Sequence, residues 1–275
     1  MTFFSWSSPL ATHRQAELPT DVLKMIESVT GPVHDVDMVS AGYNSEIAAR
    51  LHLARGTVFV KGLRQDHPRV WTQQREAAIN RHTRGLAPAL LWQIKQGGWD
   101  LLGFEDLGGR HADYSPGSPD LELVLQAMWN LAAATPPATV ELKTMPKRMN
   151  TYVTDPAQLR LFEGHALLHT DWKPDNVLIT NGQARLVDWA WASSGAAWID
   201  SALWVIWLIA SGHSAQEAES LAALHPAWDK TPAPHIDAFA YAQQRLWKSI
   251  ADADQPDEWT HQLHAAAHAW AEHRS

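Results

Sequence analysis

At 275 residues the chain can bury one large core, or two lobes of roughly a hundred residues or more each. Hydrophobic residues make up 45% and charged residues 19%, which excludes a disordered chain. A formal net charge of −8 without any basic stripe excludes nucleic acid as an expected partner. The lack of cysteine removes disulfides, thiolate nucleophiles and cysteine zinc sites together and fits a cytoplasmic location.

The first fifteen residues, MTFFSWSSPLATHRQ, have neither a basic n-region nor a long apolar run, so no signal peptide is expected. A short helix is predicted over 18–31, with a capping Thr20 or Asp21, apolar Val22, Leu23 and Ile26, and a closing Gly31. Strands follow around 33–40, 46–54 and 58–64, then a helix over 68–83, then strands 89–95 and 100–106 around the turn QGGW. After a loop rich in Pro, Gly and Ser at 114–119, a long helix runs until Pro136 and Pro137 stop it. A second helical stretch lies near 155–163, and from Ala197 onward nearly everything reads as helix. Its most apolar part, ALWVIWLIA at 202–210, is about half of a bilayer span, so it should be a buried helix and no membrane is expected. A β-rich front (1–107) joined to an α-rich back (108–275) predicts an α+β chain of two lobes with a cleft between them.

The stretch 166–180, ALLHTDWKPDNVLIT, places His169, Asp171, Asp175 and Asn176 just before a β-like run. Asn181-Gly182 then separates that run from QARLVDW, which is the strongest short hairpin signal available. A two-residue turn there pairs 180 with 183, 178 with 185 and 176 with 187. Asn176 and Asp188 therefore arrive at the open end of one ribbon. A flat ladder would point them to opposite faces, so the chain must leave the ladder here, at Pro174 on one side and at the WAW turn on the other. Two oxygen ligands converging on a partly buried point suit a hard cation such as Mg²⁺.

HTDWKPDN followed by VDW resembles the catalytic loop and metal-binding Asp of the kinase superfamily. The short segment between Asp188 and Asp200 resembles the aminoglycoside phosphotransferase family within it, whereas protein kinases carry a long activation segment closed by A-P-E. The resemblance implies a protein-kinase-like bilobal fold, with a β-rich front lobe holding one helix and a mostly helical back lobe carrying the hairpin. By the same resemblance Asp171 is the base for an attacking hydroxyl, and Asn176 and Asp188 are the Mg²⁺ ligands. His169 braces the metal-Asp turn, Asp200 ties the catalytic loop down, and Lys173 sits near the transferring phosphate. The front lobe then supplies an ATP or GTP site. Lys61 at the end of TVFVKGL holds the α- and β-phosphates, and Glu76 on the next helix pairs with it. The turn containing Gly42, Asn44 and Ser45 covers the phosphates, and the backbone from Glu105 to Leu107 bonds the nucleobase.

The implied reaction is transfer of a γ-phosphoryl group to a small-molecule hydroxyl, in an antibiotic kinase acting on an aminoglycoside, macrolide or nucleoside drug. Kinases of choline, homoserine or sugars, a protein kinase and a nucleotide-binding pseudoenzyme are the alternatives. A metallohydrolase is a further one, resting on His261, His264 and His268 along one helical face. Asp237, Asp252, Asp254, Asp257 and Glu258 would suit a polycationic acceptor. Trp191, Trp198, Trp204, Trp207 and Trp247 would suit an aromatic one, or the core. A monomer and a homodimer are equally open.

Overall fold

The structure, a computed structural model, describes residues 18–39, 45–253 and 258–275. Helix α1 (Thr20–Thr30) stops at Gly31, whose φ of 79° opens the left-handed region, and buries Val22 and Ile26. Strands β1 (Val33–Met38), β2 (Ile47–Leu53), β3 (Gly56–Arg64), β4 (Leu90–Gln96) and β5 (Trp99–Glu105) form an antiparallel sheet in the order β1-β2-β3-β5-β4. Helix α2 (Val70–Asn80) is inserted between β3 and β4. Along β3, Val58 and Val60 face a core shared with Leu51, Leu101 and Ile26, the period-2 pattern of a half-buried strand. Trp92 of β4 lies over Gly103 of β5 so closely that a Cβ on residue 103 would fall 2.1 Å from Trp92 Cε2.

The remainder comprises β6 (Arg110–His111), α3 (Asp120–Ala132), β7 (Lys143–Thr144), α4 (Met145–Met149), β8 (Ala166–Leu168), β9 (Val177–Thr180), β10 (Gln183–Leu186) and β11 (Ser193–Gly195). Helices α5 (Ile199–Ala210), α6 (Ala215–Ala222), α7 (Pro226–Asp229), α8 (Ala233–Ala251) and α9 (Glu258–His273) follow. Two small sheets, β10-β9-β6 and β7-β11-β8, sit among these helices. A second core joins Val124 and Met128 of α3 to Trp204 of α5, Phe239 of α8 and Trp270 of α9. Ile79 near the end of α2, with Leu86 and Ala87 just after it, belongs to this second core and not to that of the sheet. The chain is α+β, as its residue pattern implied.

Several elements differ from the sequence reading. The stretch near 155–163 forms 3-10 turns over Pro156–Phe162, with Asp155 capping the Ala157 N–H at 2.8 Å. Helix α3 ends at Ala132, well ahead of the two prolines. Strands β6, β7, β8 and β11 and helix α4 have no counterpart in the reading, because two to five residues carry no detectable period. The apolar run 202–210 is buried within α5, with Trp204, Val205 and Leu208 fully enclosed. Among the described residues no helix is long and apolar enough to cross a membrane.

Candidate active site

The ribbon of β9 and β10 pairs Thr180 with Gln183 and Leu178 with Arg185 across a turn in which Asn181 and Gly182 both have positive φ, 50° and 71°. The Val187 N–H donates to the Asn176 carbonyl at 2.9 Å and carries the pairing one step further. There the chain leaves the ladder on both sides. Pro174–Asn176 turns as a 3-10 helix, and Asp188 takes a left-handed φ of 59°. Asn176 and Asp188 are thus placed at one end of the ribbon. The Asn176 Nδ2 reaches the Asp171 carbonyl at 3.3 Å.

His169 holds this end together from below. Fully buried, it donates from Nε2 to the Val187 carbonyl at 2.9 Å and accepts the Asp171 N–H on Nδ1 at 3.3 Å. Those two bonds select the neutral Nε2–H tautomer, and burial lowers its pKa against the attraction of Asp200. The Asp200 carboxylate accepts the backbone N–H groups of His169 (2.9 Å) and Thr170 (3.0 Å). Burial raises the Asp200 pKa, and these two bonds oppose that. They fix Thr170 at φ 66°, a left-handed conformation that costs a non-glycine residue about 1 kcal/mol or more.

Lys61 of β3 points into the same space. Its Nζ lies 3.0 and 3.3 Å from the two oxygens of Glu76 on α2, and 3.4 Å from Asp188 Oδ1. Glu76 Oε1 also accepts the Trp189 N–H at 3.4 Å, so one carboxylate ties α2 to both β3 and the turn after Asp188. Burial alone would lower the Lys61 pKa, but Asp188 and Glu76 outweigh it and the ammonium stays charged. Burial likewise pushes Asp188 up, yet Lys61 and His169 hold it below its ordinary value. Glu76 is pushed up by burial against the pull of Lys61. Burial, and then the neighbouring Asp188, raise Asp171 from 3.8 to about 6.

Asp188 Oδ1 is sealed from solvent and accepts no hydrogen bond, meeting Lys61 only as an ion pair. Beyond that ion pair the oxygen has no donor and keeps room for a further cation. Asn176, at the same end of the ribbon, adds an amide oxygen to the Asp188 carboxylate, and oxygen donors of this kind fit Mg²⁺, which takes few protein ligands.

The other expected residues are distributed unevenly. Ser45 opens the second described segment, while Gly42 and Asn44 lie outside the described residues. The backbone from Glu105 to Leu107 is less available than expected. The Glu105 N–H donates to the Ala89 carbonyl at 2.8 Å because pairing in β5 continues through this residue, and the Leu107 carbonyl accepts Thr180 Oγ1 at 3.0 Å. The Leu107 N–H donates to no described residue. Lys173 pairs with Asp175 at 2.7 Å and lies 6.0 Å from the Trp259 ring. Trp198 and Trp204 are core residues, whereas Trp207 and Trp247 are half-buried and meet Trp259 at 6.4 and 5.8 Å. Asp237 is paired with Arg274 at 2.5 Å and Asp252 with Lys248 at 2.7 Å, while Asp254 and Asp257 lie outside the described residues. His268 is engaged by Gln244 at 2.7 Å and Glu272 at 3.5 Å.

Sequence reasoning missed Arg148. It projects from α4, and its Nη1 donates to Thr170 Oγ1 (2.6 Å), the Trp191 carbonyl (2.9 Å) and Ser193 Oγ (2.9 Å). Its only trace in the chain is the short basic MPKRMN, which has no period to assign it to a face.

No protein-family model matches the chain, and no curated protein matches it in sequence. Solved structures do match in three dimensions. Aminoglycoside phosphotransferase APH(4)-Ia superposes with a TM-score of 0.63 at 18% identity, covering 91% of this chain and 98% of that one. Choline kinase LicA from Streptococcus pneumoniae gives 0.65 at 15% identity, covering 92% and 98%. A putative aminoglycoside phosphotransferase from Ralstonia eutropha gives 0.60 at 12% identity, covering 93% and 98%. APH(4)-Ia variants have been solved in ternary complexes with hygromycin B and ADP or AMP-PNP, and LicA with AMP. The chain shares the fold of these kinases over nearly its whole length.

Proposed function

We propose that this kinase-like fold is a working small-molecule O-phosphotransferase of the aminoglycoside phosphotransferase type, moving the γ-phosphoryl group of ATP or GTP to an alcohol on an antibiotic or similar natural product. The observation that carries this reading is the set Lys61, Glu76 and Asp188, largely withdrawn from solvent beside Asp171, with one Asp188 oxygen left without a hydrogen bond. An ammonium held charged by two carboxylates at the mouth of the hairpin is suited to meeting phosphate oxygens.

On this reading Asn176 and Asp188 hold Mg²⁺, whose role is to neutralise phosphate charge. Lys61, kept protonated by its two carboxylates, binds the α- and β-phosphates, with Ser45, Gly42 and Asn44 covering them. The Leu107 N–H and the Glu105 carbonyl address the nucleobase. Asp171 orients the acceptor hydroxyl and takes its proton on a carboxylate oxygen. A base whose pKa is about 6 is ionised at neutral pH and still basic enough to accept that proton. His169 and Asp200 position the loop and touch no substrate. Lys173 adds positive charge near the transferring group. Phosphoryl transfer needs in-line placement and charge neutralisation more than covalent chemistry, and the charges gathered here suit the second of these. A primary-metabolite kinase is the second reading, favoured by the likeness to choline kinase.

The test is a phosphorylation screen with MgATP and MgGTP over antibiotics, sugars and amino alcohols, with product mass as readout. Asp171→Ala should lower turnover by roughly 10²–10⁴-fold and leave nucleotide affinity nearly intact. Asp188→Ala should weaken Mg-nucleotide binding itself. Wild-type turnover in the Asp171→Ala protein would remove the base from the mechanism.

A further inference from the structure

Several cations of the chain are met directly by carboxylates. Arg274 forks onto Glu219 and Asp237, Arg110 onto Asp120, and Lys248 onto Asp252. Arg148 is different. All three of its hydrogen bonds leave from Nη1, and all go to neutral oxygens. Among the described residues no carboxylate lies within 4.0 Å of it, and its Nε and Nη2 bond to nothing described. Neither nitrogen is sealed from solvent. Thr170, which it grips, directly precedes Asp171 in the chain.

The same guanidinium lies 5.7 Å from the Trp191 ring, Trp191 meets Trp71 edge-on at 5.6 Å, and Arg75 lies 4.7 Å over Trp71. Two guanidinium groups thus bracket two indoles in a band from α2 to α4, and Arg75 likewise has no carboxylate within 4.0 Å among the described residues. In a chain of net charge −8, these two guanidinium groups stand at one edge of the site without a carboxylate partner among the described residues. Of the acids suited to a polycationic acceptor, Asp237 is already paired with Arg274 and Asp252 with Lys248.

Resting on the phosphotransferase reading, we propose that the acceptor alcohol also carries an oxyanion, a carboxylate or phosphate, which Arg148 receives through Nε and Nη2 beside Asp171. A half-buried guanidinium is stabilised by a planar oxyanion through two parallel charge-assisted hydrogen bonds, and two of its nitrogens are oriented for that fork. Trp191 and Trp71 then flank the body of the acceptor. An aminoglycoside, with its several ammonium groups, would meet like charge here.

The experiment offers the full-length protein MgATP and three acceptor sets: hydroxy acids and sugar phosphates, neutral sugars, and aminoglycosides. An anionic acceptor should be phosphorylated with a kcat/KM about 10-fold or more above its neutral counterpart. The hydroxy-acid and sugar-phosphate arms separate a carboxylate from a phosphate. Arg148→Gln should raise KM for that acceptor by about 10–100-fold with a smaller change in kcat, while Arg148→Lys recovers part of the loss. Preference for neutral or cationic acceptors in the wild-type protein overturns the inference, whatever the variants do. So does an Arg148→Gln protein that loses kcat equally on every acceptor, which would make Arg148 a strut for the catalytic loop. Failure to use any anionic acceptor while MgATP still binds removes this inference alone, whereas failure to bind MgATP removes the phosphotransferase reading beneath it.

Discussion

Replacing Asp171 by asparagine should make the protein inactive and more stable. Burial raises the carboxyl from 3.8 to about 6, so above that pH the folded state carries an ionised group that the unfolded chain holds more cheaply. Between those two values the native protein keeps a proton that the unfolded chain has lost. Stability therefore falls as pH rises through the window and stays lower above it. At about 1.36 kcal/mol for each tenfold change in proton affinity, the full cost is roughly 3 kcal/mol at pH 8 and roughly 1 kcal/mol at pH 4.5. Asparagine keeps the shape and removes the ionisation. Thermal and urea unfolding, in EDTA and without nucleotide so that only the chain is measured, should place Asp171→Asn up to about 3 kcal/mol above wild type at pH 8. That corresponds to a Tm gain on the order of 5 °C, shrinking by more than half at pH 4.5. A gain that is absent, or the same at both pH values, would refute the reasoning that burial sets the ionisation of this group.

Two further outcomes follow from packing. Asp200→Ala strands the buried N–H groups of His169 and Thr170 and releases a left-handed threonine, and should cost about 3–5 kcal/mol in urea unfolding. Gly103→Ala drives a methyl into Trp92 and should destabilise by about 1–3 kcal/mol or more. Adding Trp92→Ala makes room, so the double variant should fall short of the sum of the single losses in a double-mutant cycle.

Local chemistry made the hairpin readable: Asn181-Gly182 accepts the two positive φ angles of its turn, and period-2 alternation sets the register on both sides. The departure of Asp188 from the ladder was also readable, because a flat ribbon could not aim it and Asn176 at one point. Arg148 was not readable. It sits on a five-residue helix, and its partners Thr170, Trp191 and Ser193 are distant in sequence. The engagement of the Glu105 N–H and the Leu107 carbonyl was hidden for a similar reason, since their partners Ala89 and Thr180 are brought near only by the assembled sheets. Short strands such as β6 and β7 exist because neighbours supply their hydrogen bonds, and no preference in two residues announces them.

Glu76 has a consequence for control. One carboxylate grips Lys61 and the Trp189 N–H at once, so α2 is already drawn in against both β3 and the Asp188 turn. In this arrangement the helix already stands against both partners with no phosphate added to the chain. On the proposed phosphotransferase reading, output would then follow the abundance of the chain and its acceptor, with no separate activating step.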